Sequence, residues 1–339
     1  MKKLVCAVQT YDWGRPGSAS EVANLKRAAD THFVIDEKKP YAELWMGVHP
    51  NGPSKIASNG KLLSEEIAIA KSSLGAHEGG TLQFLFKVLS VNKALSIQSH
   101  PDKVCILSSV NVRRKYEEVS VRRKYEEVTM NVHSVMRRLR RNTRLRIPAF
   151  GDEEKDRSVL EELILRLNSE YPGDVGVFAP LLLNYFTLRS GEAVFMGPNS
   201  PHAYLYGDCI ECMACSDNTV RAGLTPKFKD VNTLCEDLTF QMIPPPYFSP
   251  VIISTGVREY APPVSEFAVH ELQSKASALE NVGASSILIV VKGTAEIRSA
   301  DQTLQISRGD AYFIPVNAHP IKLKPSDDFL SYRAFTPKR

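Results

Sequence analysis

No apolar run in this chain reaches the roughly 20 consecutive residues needed to cross a bilayer, so neither a spanning helix nor a membrane partner is expected. The N-terminus, Met1-Lys2-Lys3-Leu4-Val5-Cys6-Ala7-Val8, has no apolar stretch long enough for a secretory signal. A cytoplasmic location is therefore the expectation. Cysteine is scarce, six in 339 residues, with Cys209, Cys212 and Cys215 close together and Cys6, Cys105 and Cys235 scattered. A secreted disulfide framework is denser and sits in a shorter chain, so all six are expected to be reduced. Excess charge of one sign is also lacking overall, at net +4. Residues 111–146, however, hold 12 Lys/Arg against 4 Glu, a local +8 that leaves −4 for the rest of the chain. The basic character is thus local and says little about partners of the whole protein. Aromatic residues that could stack on bases are limited there to Tyr116 and Tyr125, and no nucleic-acid partner is expected.

What is present reads as short strands separated by turn chemistry. Trp13-Gly14-Arg15-Pro16-Gly17-Ser18 and His49-Pro50-Asn51-Gly52-Pro53-Ser54 are turn clusters. Phe84 to Val91 is a short apolar run that predicts a buried strand, and Ala94 to His100 alternates until Pro101 stops it. Short helices are expected over residues 23–29 and 64–73. The segment 112–119 reads VRRKYEEV and repeats letter for letter at 121–128, a period of nine that fits no heptad or known solenoid. Val132, Val135, Met136 and Leu139 are spaced for one short amphipathic helix, and the whole basic segment is expected to be exposed helix or disorder. Val159, Leu160, Leu163, Ile164 and Leu167 form an apolar stripe predicting a helix over 158–169, ended by Pro172-Gly173. Strand-like runs then return at 194–196, 252–254, 287–291 and 311–315. Gly191 to Pro198 followed by His202 is echoed by Gly309 to Pro315 followed by His319. A turn glycine, a short strand, a proline and a histidine, twice over, resemble the second signature of cupin barrels and suggest two jelly-roll units.

Gln98 and His100 are two apart in an alternating run, so both side chains project from one face of a strand. With His202 they form a candidate metal set, because imidazole nitrogen and amide oxygen are acceptable zinc donors. On spacing alone a glutamine and two histidines are more often ordinary, hydrogen-bonded polar residues than ligands. Cys209, Cys212 and Cys215 do not make a convincing thiolate site, since three is an odd offset and Cys212 faces away from the other two on a strand.

Several longer strings carry a resemblance to a known family: Tyr41 to Gly47, Phe84 to Ser90, Leu95 to Pro101, Pro201 to Tyr204, and above all Gly207 to Lys227, which reads GDCIECMACSDNTVRAGLTPK. They resemble the zinc-dependent type I mannose-6-phosphate isomerases of the cupin superfamily. The resemblance implies a mainly β fold of two cupin-like jelly-roll barrels with a small, shortened helical insert. The parts expected are 1–103 and 171–250 as the catalytic cupin region, 104–170 as the basic insert, and 251–339 as a C-terminal cupin-like unit, in which His319 lacks a second ligand nearby and is taken as structural.

By the same resemblance, one Zn²⁺ per chain is held by Gln98, His100 and His202. Arg221 is an active-site cation, and Trp13, Glu43, Ser96 and Tyr204 line the pocket. Glu211 and then Asp217 are candidates for the catalytic base, each with an ion-pairing role to Arg221 or Lys227 as its alternative. For Lys227 two roles are open, binding phosphate or polarising a substrate oxygen. The implied reaction interconverts mannose 6-phosphate and fructose 6-phosphate through a cis-enediolate, a step of carbohydrate metabolism on the way to GDP-mannose. The implied partner is a small sugar phosphate, and the chain is expected to be a monomer. One departure stands out. The family's fourth ligand is a glutamate in a His-Lys-Pro-Glu string, and the duplicated basic stretch stands in its place, with Glu117, Glu118, Glu126 and Glu127 the nearest carboxylates. An inactive or metal-poor homologue that binds sugar phosphate or a protein partner is therefore the alternative expectation.

Overall fold

The computed structural model describes residues 1–101, 159–215, 219–230, 232–234, 238 and 244–339. The duplicated basic repeat, the short helix expected at 132–139 and Asp217 lie outside the described residues. No helix among the described residues is long and apolar enough to cross a membrane.

The chain is mainly β, and its order follows from side-chain alternation along strands. An eight-stranded antiparallel sheet runs Val251–Ser254, Val257–Tyr260, Ala268–Gln273, Leu330–Phe335, Ser286–Lys292, Ala311–Ile314, Lys2–Val5, Lys55–Ile56. The N-terminal strand is thus built into the C-terminal half, with Lys2 opposite Phe313. One face of this sheet presents Ile287, Ile289, Phe313 and Ala334 to Leu44, Met46, Phe84, Phe86 and Val88 of a four-stranded sheet. That second sheet runs Gly207–Ala214, Phe84–Val91, Glu43–Met46, Ala7–Gln9. The opposite face presents Leu272, Leu288, Val290 and Ile314 to Ala295, Ile297, Ile306, Ile321 and Leu323 of another four-stranded sheet. Two β units therefore share one central sheet, and each unit closes its own core against it.

The helices confirm the spacing arguments with shifted ends. Glu21–Ala29 begins at Ser20, whose Oγ accepts from the Ala23 N–H at 3.3 Å and donates to the Tyr41 carbonyl at 2.8 Å. Leu63–Ile69 replaces the longer helix expected at 64–73, whose end is a short 3₁₀ turn. Val159–Glu170 matches the stripe, burying Leu163 and Leu167 against Ala94, Ile97, Val177 and Leu224. The strand expected at 194–196 shrinks to Ala193–Val194, paired with Tyr247–Phe248.

Helix Val159–Glu170 is the platform for strand Ile97–Ser99, which carries Gln98, and its partner Val220–Gly223, which carries Arg221. Glu170 accepts from the Ala94 N–H at 2.9 Å, and the Tyr171 hydroxyl donates to the Ala94 carbonyl at 2.5 Å. Just beyond it, Asp174 accepts from the N–H groups of Gly176 (2.7 Å), Leu224 (2.9 Å) and Thr225 (3.4 Å) and pairs with Lys229 at 3.0 Å. One carboxylate thereby pins the end of strand Val220–Gly223. Burial alone would raise the Asp174 pKa, but these hydrogen bonds and Lys229 hold it below the ordinary value. A lowered carboxylate contributes stability above its unfolded pKa and loses it as pH falls through the folded one. We expect Asp174→Asn to cost about 1.5–3 kcal/mol at neutral pH, the worth of hydrogen bonds to a charged group. The gap to the unaltered protein should narrow below about pH 4, as thermal melts at pH 7 and pH 3 will measure.

Candidate active site

Strand Phe84–Val91 is buried along its whole length, and in its middle stands one charge, Lys87. Alternation puts Phe84, Phe86 and Val88 in the core between the sheets and turns Lys87 and Leu89 to the other face. Lys87 lies directly opposite Glu211 on one neighbouring strand and Trp45 on the other. Its Nζ is 2.9 Å from Glu211 and 3.6 Å from Glu43, and it sits 5.3 Å from the Trp45 ring centre. Trp45 Nε1 donates to Glu43, and the Tyr204 hydroxyl donates to Glu211 at 2.8 Å.

The two carboxylates feel this cation unequally. Burial would raise the Glu211 pKa, but Lys87 and the Tyr204 hydroxyl outweigh it and hold the group below the ordinary carboxylate value. For Glu43 burial wins over the more distant Lys87, and the Glu211 charge adds to it, so its pKa is raised. Burial opposes the charge on Lys87, yet the two carboxylates prevail and raise its pKa. Glu211 thus pairs with Lys87, not with Arg221 or Lys227. Lys87 is the functional candidate that sequence reasoning missed. Its signal was a lone lysine inside a strand otherwise built for a core.

The candidate ligands converge opposite this face. Along the 95–100 run, Ser96, Gln98 and His100 are half-buried while Leu95, Ile97 and Ser99 are buried, so the alternation expected from sequence is realised. Gln98 and His202 exchange both backbone hydrogen bonds, at 2.9 and 3.0 Å, and Arg221 lies opposite Gln98 on the next strand. The rings of His100 and His202 are 5.4 Å apart. His202 Nδ1 lies 2.9 Å from the Ser200 carbonyl, which makes it the N–H donor and leaves Nε2 with its lone pair. His100 Nδ1 is buried with no hydrogen-bond partner. Burial, and then the His202 and Lys87 charges against the opposing Glu211, lower the His100 pKa to about 4. Two imidazoles and one amide fit a zinc ion in donor chemistry. Among the described residues no group of three His, Cys, Asp or Glu comes together, so this set has no carboxylate of its own.

The remaining candidates border the same space. Trp13 and Tyr204 pack with Cys209 over Leu89, Val91 and Leu95. Trp13 also stacks on Tyr11 at 5.7 Å, and Lys227 Nζ lies 5.9 Å from the Tyr11 ring centre. Cys209 and Cys212 fall on opposite faces of strand Gly207–Ala214, with Cys212 packed against the central core and Cys215 exposed. Burial raises the pKa of both Cys209 and Cys212, which keeps them as thiols.

Comparison with known proteins gives this geometry its family. Residues 1–132 match the phosphomannose isomerase type I catalytic domain, 119–183 its helical insertion domain, and 260–328 the mannose-6-phosphate isomerase cupin domain. The chain is 35% identical to a probable mannose-6-phosphate isomerase of Caenorhabditis elegans, over 99% of this chain and 95% of the relative. It is 37% identical to mannose-6-phosphate isomerase of Bos taurus, over 98% of this chain and 97% of the relative. The worm alignment spans 397 positions against 339 residues here, so that relative carries residues without a counterpart in this chain. Among solved structures, mannose 6-phosphate isomerase of Salmonella typhimurium bound to substrate and zinc superposes with a TM-score of 0.76 at 27% identity, covering 100% of both chains. On sequence, fold and the convergence of these side chains, the chain belongs to the type I mannose-6-phosphate isomerases of the cupin superfamily.

Proposed function

We propose that this chain interconverts mannose 6-phosphate and fructose 6-phosphate at the face where Lys87, Glu211 and Tyr204 meet Gln98, His100 and His202. That meeting is the observation that carries the reading, because it sets a charged proton-handling group beside a set of metal-ligand side chains. Gln98, His100 and His202 would hold a single Zn²⁺, which would supply Lewis-acid stabilisation of oxygens that gain negative charge. The carboxylate Glu117, Glu118, Glu126 or Glu127 that would complete the set lies outside the described residues.

The chain's own residues account for the rest of the reaction. Glu211, held ionised by Lys87, takes the proton from C2 and returns it at C1. Tyr204 fixes its orientation through the hydroxyl bond. Glu43, raised while Glu211 is lowered, differs from it as an acid does from a base at one site. Arg221 stabilises the enediolate oxygens through a guanidinium that stays charged and rigid. Trp13 and Ser96 line the sugar, and Lys227 at the rim takes the phosphate. Asp217 remains the second candidate base. The rival reading, a metal-poor homologue, is favoured by no observation among the described residues.

A coupled assay on mannose 6-phosphate, with metal analysis of the same sample, tests the proposal. Turnover should disappear on chelation and return with Zn²⁺. A metal-free protein with undiminished turnover, or a zinc-loaded one with none, would refute it. We expect Arg221→Lys to lower kcat by about 10²–10³-fold, the usual loss on removing an oxyanion partner, with zinc content unchanged by metal analysis. Lys87→Met strands two buried carboxylates. It should cost about 3–5 kcal/mol in a denaturant titration and depress turnover at acid pH more than at neutral pH, because Glu211 loses the cation that keeps it ionised.

A further inference from the structure

Arg221 stands beside a turn with two unusual backbone features. Strand Val220–Gly223 pairs Val220 with Ser99, Arg221 with Gln98 and then Gly223 with Ile97, so Ala222 is an extra residue and forms a β-bulge. The bulge falls directly after Arg221, which shares a face with its partner Gln98. Two residues beyond Ala222, Leu224 has a φ of 51°, a left-handed conformation that residues with a bulky side chain rarely adopt.

A left-handed leucine persists only where its surroundings over-determine it, and three constraints do so here. Its side chain is 1% exposed, packed with Ala94, Ile97, Leu163, Leu167 and Val177. Its N–H donates to Asp174 Oδ1 at 2.9 Å, beside the Gly176 N–H at 2.7 Å, while Oδ2 accepts from the Thr225 N–H at 3.4 Å and from Lys229 Nζ at 3.0 Å. Four donors thus converge on one carboxylate. Behind the turn the backbones of residues 176 and 223 touch. A Cβ on Gly223 would lie 2.8 Å from Gly176 Cα, and one on Gly176 would lie 2.7 Å from the Leu224 nitrogen. A glycine at 224 would take the same φ with no side-chain conflict, and a regular ladder would place Ala222 opposite Ile97. The chain instead holds a leucine there, which leaves the backbone next to Arg221 a single position.

We propose that Asp174 is a positioning residue for the isomerisation: by locking the Leu224 turn it aims the Arg221 guanidinium at the enediolate oxygens. This rests on the isomerase reading, in which Arg221 meets those oxygens. A fixed cation stabilises a transition state only if it is already in place, and a displacement of about 1 Å is enough to cost about 10²-fold in rate.

A double-mutant cycle provides the test. Asp174→Asn should lower kcat by about 10–10²-fold. KM should change little, and zinc content should not change, because the substitution touches no ligand. In the Arg221→Lys background the same substitution should lower kcat by less than about threefold, since a residue that acts through another is not additive with it. Equal losses in both backgrounds would overturn the proposal, and so would a loss of zinc in step with turnover. Should Asp174→Asn not fold, Lys229→Met leaves the three backbone N–H groups on Asp174, and its smaller loss should likewise vanish beside Arg221→Lys.

Turnover of the unaltered protein decides the isomerase reading separately. The placement of Arg221 is read without turnover from its Nε–H NMR signal, assigned by its disappearance in Arg221→Lys. The control is Arg333, a fully buried guanidinium of the second unit that donates to Ser286 Oγ at 2.8 Å, the Glu280 carbonyl at 2.6 Å and His319 Nε2 at 3.1 Å. Asp174→Asn should shift the Arg221 signal and leave that of Arg333 in place. An unmoved Arg221 signal, or equal shifts at both arginines, would contradict the assignment.

Discussion

A single ammonium in a strand built for a core is the constraint on which the catalytic side of this molecule rests. Lys87 is accommodated only because Glu211 and Glu43 approach it from the two neighbouring strands, each on the same face of the sheet. Its flanking residues Phe86 and Val88 are committed to the core on the opposite face. A register slip of one residue on this strand would exchange the two sets, driving the charge into the core and the aromatics into the site. The hydrophobic core and the polar site thus specify one another through the same eight residues.

The layering extends that constraint to the whole chain. The central eight-stranded sheet serves two cores, and strand Lys2–Val5 adds the first residues of the chain to the C-terminal unit. Glu78 reinforces the join from the other side, accepting from the Ser285 N–H at 2.8 Å and from its hydroxyl at 2.6 Å. Gln98 and Arg221 are carried by two short paired strands, Ile97–Ser99 and Val220–Gly223, and His202 by a single bridge to Gln98, all too small to hold a geometry alone. Helix Val159–Glu170 and the Asp174 carboxylate brace them from behind. Both units put a charged residue inside, but the catalytic unit answers Lys87 with carboxylates while the second answers Arg333 with neutral acceptors.

Much of this is legible in the sequence wherever periodicity has one meaning. The run 84–91, the helical stripe at 159–170 and the shared face of Gln98 and His100 all follow from side-chain direction. Lys87 escapes because an apolar run reads as uniform, while the partners a buried lysine needs stand on strands distant in sequence. Arg333 escapes for a similar reason: LSYRAF looks like any amphipathic edge, and only the pairing of its strand between two others shows that the arginine points inward. Asp174 could not be found locally, since three of its partners are some fifty residues away at Leu224, Thr225 and Lys229. The ion-pair role expected of Glu211 is sound in kind but belongs to a different cation, because cross-strand register is set by tertiary pairing. The carboxylate ligand expected near the repeat concerns residues outside those described.

The proposed role of Glu211 as the base rests on the unequal hold of Lys87 on its two carboxylates, which lowers the Glu211 pKa while that of Glu43 is raised. Carbon-13 NMR of glutamate-labelled protein, with Glu211→Gln and Glu43→Gln used to assign the two side-chain carboxyl signals, reads this directly across a pH titration. The account predicts that Glu211 titrates below the ordinary glutamate range of about 4.3 and Glu43 above it. Two signals that titrate together at the ordinary value would contradict it.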